Sequence, residues 1–321
     1  MSSPDLLEGC TSGTARHMAT DVTIRLVGRD DARALSVVAA ALQEFGDVEA
    51  ACTRFDPASP LMRANANPFG WCAVPKRCFD AVSEAHRAYQ ETGGRFDPRV
   101  LGDLVAMGYR ATLPFSGGPV VAEEAVVRRR LALPPWRPQF RVRAGTFAVR
   151  LGGLPIDLGG IGKGLAVRWA ADLLAAAGAD VLIEAGGDCM ARGHAPGGGP
   201  WHVGVEDPAG DVTPVAVLGL SDLAATTSST RVRHWTAAGR SVHHLVDPRT
   251  GLPGGRGMRS VTVVGPDPAM AEVWSKTLFL AGRHAVATEA EQHGIAACWV
   301  ADDGVASFST AIEPYVLWRR S

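Results

Sequence analysis

The sequence predicts an α+β protein built on mixed or antiparallel sheets, and three observations carry that expectation. Strands come in runs, with helices gathered between them instead of alternating in a βαβ series. Apolar residues make up 46% of the 321-residue chain, enough for a sizeable core. No internal repeat or low-complexity tract interrupts it.

Taken in order, residues 1–17 read as a polar, mobile lead. "LLEGC", ending at Cys10, lacks the basic and apolar regions of an export signal. "VTIRLV" at 22–27 alternates as a strand, and Leu35, Val38, Ala39 and Leu42 fall on one helical face. A second helix carries Phe79, Val82, His86 and Tyr89 and stops at Gly93 and Gly94. Residues 110–155, rich in Pro, Gly and Arg, read as a loop or insertion. From 163 a helix places Ala166, Trp169, Ala170, Leu173 and Leu174 together. Strands follow in "VLIEAGG", in "WHVGVE", and at about 214–219, 242–246 and 260–264. Two helices over 269–281 and 283–293 precede the strand "IAACWVA".

Charge and cysteine usage exclude several classes. Thirty-two basic and 33 acidic residues leave a net charge of −1, so no nucleic-acid or anionic-membrane footprint is present and a small ligand is expected. No apolar run approaches the roughly 20 residues of a membrane-spanning helix. Six cysteines without a C-x-x-C pair suggest reduced thiols and a cytoplasmic protein.

The stretch "IDLGGIGKG" at 156–164 is the densest local signal. As a phosphate loop it fails twice: Asp157 stands where the first glycine belongs, and Gly164 where a hydroxyl residue would bind magnesium. As a dinucleotide fingerprint it fails at Leu165. What remains is Asp157 at a strand end, a glycine-rich turn, and Lys163 at a helix start. Such a turn either lets backbone approach a nucleotide or packs tightly on a sheet with Asp157 as a cap.

Together with other blocks in the same order, "IDLGGIGKG" resembles the central motif of the ApbE family, the FAD:protein FMN transferases. These blocks are "HMATDVTI" at 17–24, "TRFDPASPLMRAN" at 53–65 and "TGGRFDP" at 92–98, then "LIEAGGDCMARG" at 182–193, "WHVGVEDP" at 201–208, "TTSST" at 226–230 and "HHLVDPRTG" at 243–251. The resemblance implies one α+β, T-fold-like domain over 18–321 with an FAD cleft. It also implies transfer of FMN from FAD to a Thr or Ser hydroxyl of an acceptor flavoprotein, releasing AMP. FAD binding without transfer, FAD pyrophosphatase activity and a non-flavin ligand are the alternatives.

By matched position, the resemblance implies that Met18, Phe55, Arg95, Phe96, Asp97, Asp157, Lys163 and Ser228 contact FAD. Phe55 offers a stacking face, while Asp97 before Pro98 reads equally as a turn residue. His244 matches the family histidine and is the candidate general base, with Asp247 in the same block. His243 should face the other way and be structural.

The family's magnesium, held by an Asp, a Thr four residues later and a loop carbonyl matching Gly160, meets a departure here: Glu272 and Lys276 occupy the side-chain positions. A protonated amine has no lone pair for a metal, and Thr277 lies roughly 140° round the helix from Glu272. Either Glu272 and the Gly160 carbonyl hold magnesium with help from Ser275, or Lys276 pairs with Glu272 and its charge replaces the metal. The second arrangement is favoured over the first. The plain reading of the same pair is a surface i, i+4 contact.

Overall fold

The computed structural model describes residues 10–28, 31–111, 133–178, 180–237 and 239–320. Its centre is an eight-stranded sheet in the spatial order Cys10–His17, Thr20–Val27, Val181–Ala185, Asp188–Arg192, Leu223–Ser229, Met258–Gly265, Ala296–Ala301 and Ala306–Phe308. Every neighbouring pair is antiparallel. The sheet therefore follows chain order, opened most widely between Val27 and Val181 by a long excursion that builds much of the cleft, and again between Arg192 and Leu223 and between Ser229 and Met258 by shorter ones.

Seven α-helices accompany it among the described residues: α1 (Ala32–Cys52), α2 (Pro60–Ala66), α3 (Lys76–Glu91), α4 (Leu101–Ala106), α5 (Gly162–Ala176), α6 (Pro268–Ala281) and α7 (Val286–Gln292). On one sheet face, Val22, Ile24, Val181 and Ile183 meet Val38 and Phe45 of α1 and Ala170 and Leu174 of α5. On the other, Leu182 and Ala191 meet Leu218 and Leu220 of a small sheet formed by Trp201–Val205, Ala216–Leu220 and Val316–Arg319. Both faces are thus covered, which is why "VLIEA" runs apolar instead of alternating.

Close approach of α5 to α6 positions the site. A Cβ placed on Gly164 would lie 2.5 Å from the Pro268 carbonyl oxygen and 2.6 Å from Ala269 Cα, so only glycine permits this crossing. Asp267 caps α6 by accepting from Ala269 N at 3.0 Å and also receives Arg168 of α5 at 2.9 and 2.5 Å. The crossing carries residues 272–276 directly over the glycine-rich loop.

Several expectations need correction. Residues 10–17 are the edge strand of the main sheet and not part of a lead; its polar, half-exposed pattern imitates a tail because only one long edge is paired. The buried face of α1 is Ala34, Val38, Ala41, Phe45 and Val48, so Leu35 and Ala39 lie outside it. Within 110–155 the described residues include a hairpin, Gln139–Arg143 with Thr146–Arg150, whose arginine-rich alternation hid its strand character; the rest of that prediction, over 112–132, lies outside the described residues. α4 was not anticipated. All six cysteines are free, and among the described residues no helix is long and apolar enough to cross a membrane.

Candidate active site

The glycine-rich loop is held from below by Asn65 of α2. Its buried amide donates to the Ile156 carbonyl and accepts from Ile156 N, both at 2.8 Å. Asp157 follows at once, its own N–H bonded to the Pro98 carbonyl at 2.7 Å. Its Oδ1 accepts from Gly159 N at 2.6 Å, shaping the turn, and its Oδ2 meets Arg54 Nε at 2.9 Å in a buried ion pair. Arg54 lies 4.2 Å from the centres of both the Phe55 and Tyr109 rings and donates to the Tyr109 carbonyl at 2.6 Å. Its remaining nitrogen, Nη2, is buried without a hydrogen-bond partner among the described residues.

Lys163 opens α5 and is buried against Asp188, with Glu272 Oε1 at 3.6 Å; it is not a solvated helix-start lysine. Glu272 Oε2 accepts from Gly164 N at 2.8 Å. Glu272 is thereby turned toward α5, and the Glu272–Lys276 pair expected across one helical turn is not formed. Lys276 instead swings over the loop: a Cβ on Gly160 would sit 2.1 Å from its Nζ. Burial lowers the pKa of both lysines, opposed by the Glu272 charge, and the Arg233 guanidinium lowers both further.

Arg233 also lines the cleft, and its carbonyl lies 3.2 Å from His244 Nδ1. An oxygen there requires the proton on Nδ1, leaving Nε2 with its lone pair. Burial, then the charges of Arg233 and Lys276, hold the His244 pKa well below its ordinary 6.5. His243 faces away, edge-on to Phe279 at 5.9 Å, and burial lowers it to about 4.

Two matching turns rim the site. In Asp97-Pro98-Arg99 and Asp247-Pro248-Arg249 the aspartate accepts from the backbone N–H two residues on, at 3.0 and 2.9 Å, and from the same arginine's Nε at 3.0 Å in each. These carboxylates are consumed in stapling the turns. Asp247 itself is not among the cleft-lining residues, whereas Asp97, Pro98 and Pro248 are. Met18 and Ala19, at φ 52° and 61°, form a tight hairpin turn on the same rim.

These elements line an open cleft whose space, counted out into the solvent at its mouth, is about 1210 Å³. Of the residues singled out from sequence, Met18, Phe55, Arg95, Phe96, Asp97, Asp157, Lys163, Gly160, His244 and Lys276 all line it. Arg95 is also ion-paired to Glu289 of α7. Ser228 and Ser275 do not line it: they are buried beneath it and bonded to each other at 2.8 Å, and Ser275 also donates to the Glu272 carbonyl at 3.0 Å. Sequence reasoning missed Arg54, Tyr109, Asp188 and Arg233. Arg54 stood inside a quoted block, but a lone charged residue leaves no periodic trace.

The family model described as the ApbE family matches residues 18–299. The chain belongs to the ApbE family. A Rhodobacter capsulatus FAD:protein FMN transferase is 32% identical over 213 residues, spanning 66% of this chain but only 40% of that relative. The Salmonella typhimurium FAD:protein FMN transferase is 26% identical over 313 residues, covering 96% of this chain and 87% of the relative. Among solved structures, an ApbE protein from Thermotoga maritima superposes with a TM-score of 0.79 at 24% identity, covering 97% of this chain and all of that one. The flavin transferase ApbE from Vibrio cholerae gives 0.74 at 22%, covering 95% and 99%. The α+β ApbE fold expected from the sequence is the fold observed.

The family's implied magnesium does not fit the donors present. Glu272 is already engaged by Gly164 N and faces Lys163, Ser275 is bonded to Ser228, and an ammonium lies against Gly160. A hard divalent cation takes six or more oxygens. Among the described residues, no three His, Cys, Asp or Glu side chains are grouped to hold a metal.

Proposed function

We propose that the chain is an FAD:protein FMN transferase that moves the FMN half of FAD onto a Thr or Ser hydroxyl of an acceptor flavoprotein. One observation carries this reading. Two cations, Arg233 and Lys276, face the cleft beside a neutral histidine, and neither makes an ion pair among the described residues. The other cleft charges are largely matched: Arg54 by Asp157, Lys163 by Asp188, Arg95 by Glu289 and Asp97 by Arg99. A surplus of positive charge in a buried wall suits a pyrophosphate.

In the reaction, the acceptor oxygen attacks the flavin-side phosphorus, forming the new O–P bond. The bond from that phosphorus to the bridging oxygen breaks, and AMP departs with the electron pair. His244 Nε2 receives the hydroxyl proton. Arg233 and Lys276 stabilise charge accumulating on the phosphates, and the stapled turns and the Asn65 clip keep these groups in register.

The test is incubation of the full chain with FAD and an acceptor flavoprotein, followed by denaturing gel fluorescence and nucleotide analysis. Covalent flavin on the acceptor with equimolar AMP is expected. Free FMN with AMP would instead make the chain a pyrophosphatase, and intact FAD would make it a flavin-binding protein.

A further inference from the structure

Resting on the flavin reading above, we infer that Lys276 takes the place of a divalent cation at the FAD pyrophosphate, so that this chain binds its dinucleotide without a metal. The inference begins with Glu272. Its two oxygens are turned to the start of α5, one receiving Gly164 N at 2.8 Å and the other facing Lys163 at 3.6 Å. Lys276, one turn later on α6, therefore makes no close ion pair with the carboxylate its spacing would normally give it among the described residues, although the charges of Glu272 and Asp157 still act on it.

Its side chain runs instead to the glycine-rich loop. Nζ, Cε and Cδ lie 2.1, 3.0 and 3.2 Å from where a Gly160 Cβ would be, so the absence of a side chain at 160 is what admits the amine. It lies against the residue whose carbonyl would have to serve a metal. A divalent ion there would have to displace Lys276 and would meet the charges of Lys163 and Arg233, while the nearby carboxylates are already committed, Asp188 to Lys163, Asp157 to Arg54 and Glu272 to the start of α5. A bound pyrophosphate reverses the balance: its oxygens satisfy the ammonium donors and the Arg233 fork, and no further cation is needed.

Lys276 also differs from a metal in what it can do. An ammonium supplies three donors and one charge, and fixes no coordination geometry. Arg233, a planar fork lining the same cleft and close enough for its charge to act on Lys276, complements it by supplying directed hydrogen bonds. The pair together would clamp the two phosphates.

The decisive experiment titrates the full chain with FAD, followed by flavin fluorescence, in EDTA and in millimolar magnesium. Wild type should give the same Kd in both within about twofold, whereas Lys276→Thr should weaken binding in EDTA roughly 10- to 100-fold, the loss of one charged hydrogen-bond partner. Thermal melting of the variant checks that it remains folded, and the wild-type comparison needs no variant. Wild-type binding that collapses in EDTA and returns with magnesium would overturn the inference while leaving the flavin reading intact, as would a folded Lys276→Thr protein that binds like wild type in EDTA. Absence of FAD binding in both buffers would overturn the flavin reading and this inference with it.

Discussion

His244 lies just past the end of the Arg240–His243 strand, with Nδ1 committed to the Arg233 carbonyl and its charged form disfavoured by burial and two cations. A base held in this way is unprotonated well below pH 6.5. Transfer measured as kcat/KM should therefore show no loss attributable to His244 as pH falls from 8 to about 6, where an ordinary imidazole would begin to protonate. His244→Asn should lower kcat by about 10²–10⁴-fold and change FAD affinity only a few-fold, separable by titration and single-turnover rates. His243 supplies a stability prediction with a definite sign. The unfolded chain protonates it near 6.5 and the folded chain only near 4, so between those values the unfolded state binds more protons. Its contribution makes the protein less stable as pH falls from 6.5 toward 4, measurable as a falling denaturation midpoint that His243→Gln makes shallower. Residues such as Arg233 and Tyr109 were illegible in the sequence for a physical reason: a single cation or ring placed by tertiary packing has neither period nor motif. His244 and Lys163 were legible only because the residues around them formed recognisable blocks.

At the scale of elements, the α5–α6 crossing and the Asn65 clip carry the geometry. In Gly164→Ala the new methyl meets backbone atoms of α6 at 2.5 and 2.6 Å, so the helices must separate. Overpacking of this kind should cost about 1–3 kcal/mol in chemical denaturation. Gly160→Ala is the informative contrast. Its nearest atoms are the tip of the flexible Lys276 side chain, so stability should change little while FAD binding weakens as Nζ is displaced. Asn65→Ala leaves the buried N–H and carbonyl of Ile156 without their amide partner and should destabilise by about 1–3 kcal/mol. The strongly amphipathic α3 and the largely apolar α5 and α6 were readable from sequence, although the face of α1 was misplaced because small alanines, not Leu35, fill the tight contact with the sheet. The 139–150 hairpin escaped notice because its first strand is mostly exposed, with arginines alternating with Phe140 and Val142, and only Ala148 and Val149 of its second strand are buried.

Over the whole molecule, the antiparallel sheet was legible as a class, since strands in runs and helices between them leave few other arrangements. The position of its first strand was not, because a polar edge strand and a polar tail share a composition. What the sheet accomplishes is placement: the excursion after Val27 and the return through α6 bring residues more than two hundred positions apart, Met18 and Lys276, to one cleft. The most direct test of the account is a crystal structure of the full chain grown with FAD in EDTA. The account predicts the dinucleotide in this cleft, with pyrophosphate oxygens within about 3.2 Å of Lys276 Nζ and the Arg233 guanidinium. A dinucleotide bound elsewhere, or one in the cleft with its phosphates turned away from both cations, would contradict it.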